Sequence, residues 1–220
     1  MKVFVIGAAG GIGRRLATLL TARGDAVTGM HRKPEQHETI AAAGAVALPG
    51  DLIADSVAEL ADRMSGHDAV VFSAGAHGTG MDQTTLIDGT GLEKAAAAAA
   101  AAGVRRFVLV SAFPEAGRGA QRGERFEHYM QVKKSADAHL TRTDLGWVIV
   151  RPGTLRDDPG DGLVAAWPAL EYGFVCRDNV AAFLAAVLPE SRLTRTIVEL
   201  TDGRTPAADA VAALVRLQNR

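Results

Sequence analysis

Tyr129 and Lys133 stand four positions apart in a chain that has two tyrosines and five lysines. On a helix, which the pattern predicts over 124–142, that spacing puts both side chains on one face with their Cβ atoms about 6 Å apart. By chance, a lysine four places after a tyrosine is expected only about 0.05 times in such a composition. A phenol titrating near 10 is a feeble acid or base at neutral pH. A neighbouring ammonium favours the phenolate and lowers that value, so the pair predicts a Tyr129 able to exchange a proton with a carbonyl oxygen. Ser111 directly follows the apolar run FVLV at 107–110. It would sit at the carboxyl edge of a central strand, where ligands of open α/β sheets bind, with its hydroxyl placed to orient the same oxygen.

A second cluster lies at the start of the chain. Gly7, Gly10 and Gly13 follow the first apolar run, with Ala9, Gly11 and Ile12 between them. Backbone amides and the positive end of a helix are presented to an anion by such a turn. The spacing alone arises by chance about 0.3 times in a chain this rich in glycine, so the strand before it and the helix after it carry the inference. No GxxxxGK[ST] and no GxSxG occurs, which excludes a Walker-type triphosphatase and an α/β-hydrolase elbow and leaves a dinucleotide. The second strand ends in Met30-His31-Arg32-Lys33 rather than in an acid that would bond ribose hydroxyls. Arg32 and Lys33 are suited to a 2′-phosphate, and NADP(H) is expected in preference to NAD(H).

These residues need a parallel sheet to bring them together, and the chain has its rhythm. Short apolar runs at 3–6, 26–30, 45–48, 68–72, 107–110 and 147–150 alternate with helical patterns, the signature of βαβ units. The fold class expected is α/β, a Rossmann-like doubly wound parallel sheet with helices on both faces and a small C-terminal substrate-side segment. One domain should span 1–220, with 153–175 and 190–220 forming the small lobe. Asp178 and Asn179 can cap a helix running to 188, 196–200 reads as a further strand, and Pro206 opens a last helix. The alanine run at 95–102 reads as helical filler, bracketed by Lys94 and Arg105 and too short to cross a bilayer. With 48 % hydrophobic and 22 % charged residues, the chain can bury a proper core. A balance of 24 Lys+Arg against 25 Asp+Glu lacks the basic excess that nucleic acid demands. The lone Cys176 precludes an internal disulfide and any cysteine-based zinc site. The five-residue apolar run at the start is too short for a signal-peptide core. A cytoplasmic monomer or weak homodimer, with a small-molecule substrate and neither membrane nor nucleic acid as partner, is expected. No metal is expected either: His128 and His139 share a helix face but stand about 16 Å apart. His31 and His37 read as surface residues, and His128 as a solvated one.

Across nearly its whole length the sequence resembles the atypical short-chain dehydrogenase/reductase family, in its small NAD(P)-binding, epimerase-like and NmrA-like branch. The segments that carry the likeness are GAAGGIG at 7–13, GDL at 50–52, DAVVFSAG at 68–75, GVRRFVLVSA at 103–112, YMQVKKSAD at 129–137, VIVRPGTL at 148–155 and RDNVA at 177–181. The resemblance implies that Asp51 and Leu52 border the adenine and that Ala74 and Gly75 line the adenosine side. It also implies that the segment with Pro152 and Gly153 touches the nicotinamide end and that Lys133 bonds the nicotinamide ribose. The main branch has an asparagine on the preceding helix that supports a proton relay, whereas the only asparagines here are Asn179 and Asn219. Phe113, Trp167, Tyr172 and Phe174 fall where they would roof the carboxyl edge, and the short segment after Pro152 predicts a compact ligand rather than a nucleotide sugar. Three functions are compatible with these features: an NADP(H)-dependent oxidoreductase acting on a small carbonyl or quinone, an NADPH-dependent flavin reductase, and a non-catalytic NADP(H)-binding redox sensor.

Overall fold

Alternate residues of the inner strands point to opposite faces, and both sets are apolar. The computed structural model describes residues 1–76, 78–114, 116 and 122–219. In β1 (Lys2–Ile6), Val3 and Val5 join one buried cluster while Phe4 and Ile6 join another. The strands β4 (Ala69–Phe72), β5 (Arg106–Val110) and β6 (Gly146–Pro152) divide in the same way. A strand that repeats every two residues and has no polar face must be covered on both sides, which fixes a three-layer arrangement. On one side lie α1 (Gly11–Ala22), α2 (His37–Ala42), α7 (Arg177–Val187) and α8 (Ala207–Gln218). On the other lie α3 (Val57–Met64), α5 (Gly91–Ala101) and α6 (Glu124–Thr141). Four of the α5 alanines, Ala95, Ala96, Ala98 and Ala99, are buried in that second cluster. They form a packing surface and not the filler expected, because small side chains let α5 lie close to its neighbours.

Among the described residues the sheet has nine strands in the order β11-β8-β10-β6-β5-β4-β1-β2-β3, with β2 at Ala26–His31, β3 at Val46–Pro49 and β10 at Thr196–Asp202. Seven are parallel. The edge strands β8 (Leu163–Trp167) and β11 (Thr205–Pro206) run antiparallel, β8 against β10 and β11 against β8. A separate parallel pair joins β7 (Thr154–Arg156) to β9 (Phe174–Cys176). This is the Rossmann-like doubly wound α/β architecture expected. From β1 the chain winds outward to β2 and β3, then returns to β4 on the opposite flank of β1, so the order reverses between β1 and β4. A crevice opens above the carboxyl ends of those two strands. Among the described residues no helix is long and apolar enough to cross a membrane.

Two local readings change. Cys176, not Asp178 or Asn179, takes the cap position of α7. The Asp178 and Asn179 side chains instead accept from Gly160 N at 3.0 Å and Gly162 N at 2.7 Å, pinning the loop ahead of β8. Second, the residues after Pro34 form a 3-10 turn, Pro34–Gln36, before α2 begins at His37.

Candidate functional site

The glycine turn is built by close approach. Gly7 has φ +85°, and a Cβ there would stand 2.6 Å from the Ala74 amide nitrogen, so the ends of β1 and β4 touch only because neither Gly7 nor its surroundings need room for a side chain. A Cβ at Gly13 would collide with the Gly7 carbonyl. Gly10 donates to that same carbonyl at 2.9 Å and opens α1 with no side-chain cap and no acid in the first turn. The leading amides of Gly11, Ile12 and Gly13 therefore present the positive end of α1 to the crevice. Arg177 of α7, a residue that sequence reading missed, lies over this turn: its Cδ is 2.7 Å from where a Cβ on Gly11 would be. Its Nη1 pairs with Asp157 at 2.8 Å. Arg15 reaches Asp157 at 3.6 Å and Asp178 at 2.5 Å. More than 160 residues separate Arg177 from the turn, and no local signal joins them.

A cavity of about 170 Å³ opens on one side of the turn. Gly7, Ala9, Gly10, Asp51, Leu52, Ala74 and Gly75, all expected at a cofactor site, line it, and so does Arg32. Lys33 does not. The amides of Arg32 and Lys33 both donate to Gln36 Oε1, at 3.2 and 3.1 Å, which closes the turn after β2. Asp51 spends its carboxylate on its own turn, accepting from Ile53 N at 2.8 Å. His31 is buried rather than exposed, because it occupies the last position of β2 beneath that turn. Its Nδ1 meets the Lys33 carbonyl oxygen at 3.0 Å, and its buried Nε2 has no partner among the described residues.

On the other side lies a cavity of about 390 Å³ that shares Gly10, Ser73, Ala74 and Gly75 with the first, so the two form one cleft. Ser111, Tyr129 and Lys133 all line it, together with Gly11 and Ile12. Pro152 and Gly153 do not: Gly153 donates to the Leu200 carbonyl at 2.9 Å, and Leu155, two residues on, reaches the cavity instead. None of the four expected roof aromatics lines it either. Phe113 is buried edge-on against Tyr172, Phe174 packs under the Arg156 guanidinium, and Trp167 is exposed on β8. Beside Tyr129 the wall carries Phe126, one turn earlier on α6.

Charge at this end is buried and paired. Lys133 donates to the Val110 carbonyl at 3.1 Å and lies 3.6 Å from Asp88, another residue sequence reading passed over. Asp137 pairs with Arg151 Nε at 2.9 Å, and burial pushes its carboxyl up against the opposing pull of Ser111 and Arg151. Ser111 Oγ stands beside that carboxylate without a well-aligned bond to it. Burial, and after it Asp88 and Asp137, push the Tyr129 phenol well above its ordinary value. That is the reverse of the lowering expected from Lys133, whose charge Asp88 offsets. His128 is not simply solvated: its Nε2 contacts Thr85 Oγ1 at 2.9 Å and the Met81 carbonyl at 3.1 Å.

The model of a family described as NAD(P)H-binding matches residues 7–191. The chain is 43 % identical over 216 residues to an uncharacterized sugar epimerase of Bacillus subtilis (strain 168), covering 97 % of this chain and 100 % of that protein. A solved structure from Bacillus halodurans, whose name proposes an NAD-dependent epimerase/dehydratase, superposes with a TM-score of 0.88 at 31 % identity over 97 % of this chain and 99 % of that one. An oxidoreductase from Lactococcus lactis shares the fold, with a TM-score of 0.84 at 24 % identity over 98 % and 97 % of the two chains. With its glycine turn, its reversal of strand order and this match over most of its length, the chain belongs to the NAD(P)H-binding family of Rossmann-fold proteins.

Proposed function

We propose that the protein is an NADP(H)-dependent oxidoreductase acting on a small carbonyl, a quinone or a similarly compact substrate. The observation that carries this reading is one continuous cleft with Arg32 at one end, the bare glycine turn in the middle and the trio of Tyr129, Lys133 and Ser111 at the other. A pyridine dinucleotide fits these residues. No side chain at Gly7 or Gly13 blocks close approach to the backbone, and the leading amides of α1 face the position of a pyrophosphate. Arg177 would add a cation to that pyrophosphate, Arg32 would meet a 2′-phosphate, and Leu52 would border the adenine.

When bound, the nicotinamide supplies the hydride that a carbonyl carbon accepts. Tyr129 holds the matching proton at Oη and gives it to the carbonyl oxygen, so an aldehyde or ketone leaves as an alcohol. Burial keeps the phenol protonated through neutral pH, which loads the site for donation. Ser111 Oγ, buried and without a partner of its own among the described residues, donates a second hydrogen bond to the same oxygen. Lys133 would bond the nicotinamide ribose beside it. Met81, Phe126 and Leu155 give the wall an apolar surface that excludes water. Because the cavity of about 390 Å³ must hold the nicotinamide as well, it suits a compact substrate and not a nucleotide sugar.

Flavin reduction is the second reading, favoured because a phenol pushed above its ordinary value is a weaker acid than a free one, and hydride transfer to a flavin needs no tyrosine acid. NADPH oxidation measured against aldehydes, quinones and flavins separates the two when repeated with Tyr129→Phe: carbonyl reduction should collapse and flavin reduction should persist. Equal affinity for NADH and NADPH in calorimetry would remove the NADP(H) assignment. Saturable binding of a nucleotide sugar at micromolar concentration would remove the compact substrate.

A further inference from the structure

Asp88 is the most deeply buried acid among the described residues, 2 % exposed. It stands in a π turn, Thr85–Thr90, between α4 (Met81–Thr84) and α5. Such a turn inserts a residue into a helix and recurs at functional sites. One Asp88 oxygen accepts from the Ala76 amide at 2.9 Å, and the other lies 3.6 Å from Lys133 Nζ. A Cβ on Gly75 would stand 3.3 Å from that second oxygen. A single carboxylate thus joins the segment after β4, which lines both halves of the cleft, to the lysine of α6. A buried ammonium demands such a partner, because a carbonyl dipole alone does not repay its lost hydration.

We propose that Asp88 is the positioning residue for Lys133, holding the ammonium against the cleft wall and balancing its charge so that Lys133 acts as a fixed hydrogen-bond donor. Its value to catalysis rests on the reading above. Among the described residues, charged groups reach the cavity of the Tyr129 phenol from several elements, Arg177 of α7 among them. Asp88 approaches from the π turn. Lys133 and Asp137 come from α6 itself, with Arg151 of β6 engaged by Asp137, and Arg125 lines the same cavity one helical turn earlier. His128 of α6 is tied to Met81 and Thr85, Asp82 of α4 is exposed, and Glu93 of α5 faces His139 further along α6. With Lys133 balanced by Asp88, the charges that act on the phenol are the carboxylates of Asp88 and Asp137, and both hold its proton in place.

The test is the ultraviolet titration of tyrosinate in a Tyr172→Phe background, which leaves Tyr129 as the only tyrosine. Asp88→Asn keeps an acceptor for the Ala76 amide and removes the charge. The Tyr129 midpoint should fall by about one pH unit or more, and Asp88→Glu should restore it. A midpoint unchanged or raised by Asp88→Asn overturns the proposal. Should that variant fail to fold, Asp88→Ser, which keeps a hydroxyl acceptor and also removes the charge, takes its place with the same two outcomes. The titration needs no turnover. A shifted midpoint in a protein inert toward every carbonyl would sink the catalytic reading and leave the Asp88–Lys133 pairing, and an unshifted midpoint in an active reductase would do the opposite.

Discussion

The two halves of the cleft share Gly10, Ser73, Ala74 and Gly75 yet handle polarity in opposite ways. The half on the Arg32 side offers backbone groups and apolar side chains, and its one inward acid, Asp51, is absorbed by its own turn. The half on the Tyr129 side buries Asp88, Lys133, Asp137 and Ser111, contributed by a π turn, one helix and a strand end. Recognition by main chain requires the absence of side chains at a few positions. Proton handling requires charged side chains from distant elements that remain buried only while each has its partner. The first should fail by steric intrusion and the second by imbalance of charge.

The comparison is tested hardest at Tyr129. Replacement by Phe should lower kcat for carbonyl reduction by about 100- to 10,000-fold while the Kd for NADPH, read by calorimetry, stays unchanged. A parallel loss of affinity would mean that the two halves are not separable. Next comes Gly13→Ala, whose added carbon meets the Gly7 carbonyl. Cofactor affinity should drop by about 100-fold in a protein whose thermal unfolding still shows a single cooperative transition. Arg32→Ala should weaken NADPH by about tenfold and leave NADH untouched, as separate titrations would show. Arg177→Ala acts on the shared middle, so both cofactors should weaken by a similar, few-fold factor that shrinks as salt is added. The smallest effect expected is none: a proton donor whose value is raised stays loaded as pH climbs. The reductive kcat should therefore be flat between about pH 7 and 9, and a fall centred in that range would show that Lys133 does acidify the phenol.

How much of this was legible in the sequence follows the same division. The glycine turn, the first six strands and the Tyr129–Lys133 spacing are contiguous patterns, and strand and helix periodicity carries them directly. β7, β8 and β9 lay hidden in a stretch that reads as loop, since Leu163–Trp167 is short and flanked by Gly162 and Pro168. Arg177 reaches the glycine turn only through the packing of α7 on α1. Asp88 carries no such signal, because a regular helical count gives no reason to expect an acid turned inward there. The raised Tyr129 follows first from burial, which spacing along a helix does not show, and then from Asp88 and Asp137: an ammonium four residues away predicts a lowered value only when nothing else claims its charge.

The wide turn at Thr85–Thr90 has a geometric corollary. Taking one residue out of it would let an ordinary helix close across the gap and would swing whatever precedes the cut by about 100° around the axis. Met81 and Thr84 would then be carried off the cleft wall while α5 stayed seated on the sheet. A lone extra amino acid thus acts as an alignment shim, and a chain shortened by that one unit should fold with its Arg32 half whole and its Tyr129 half out of register.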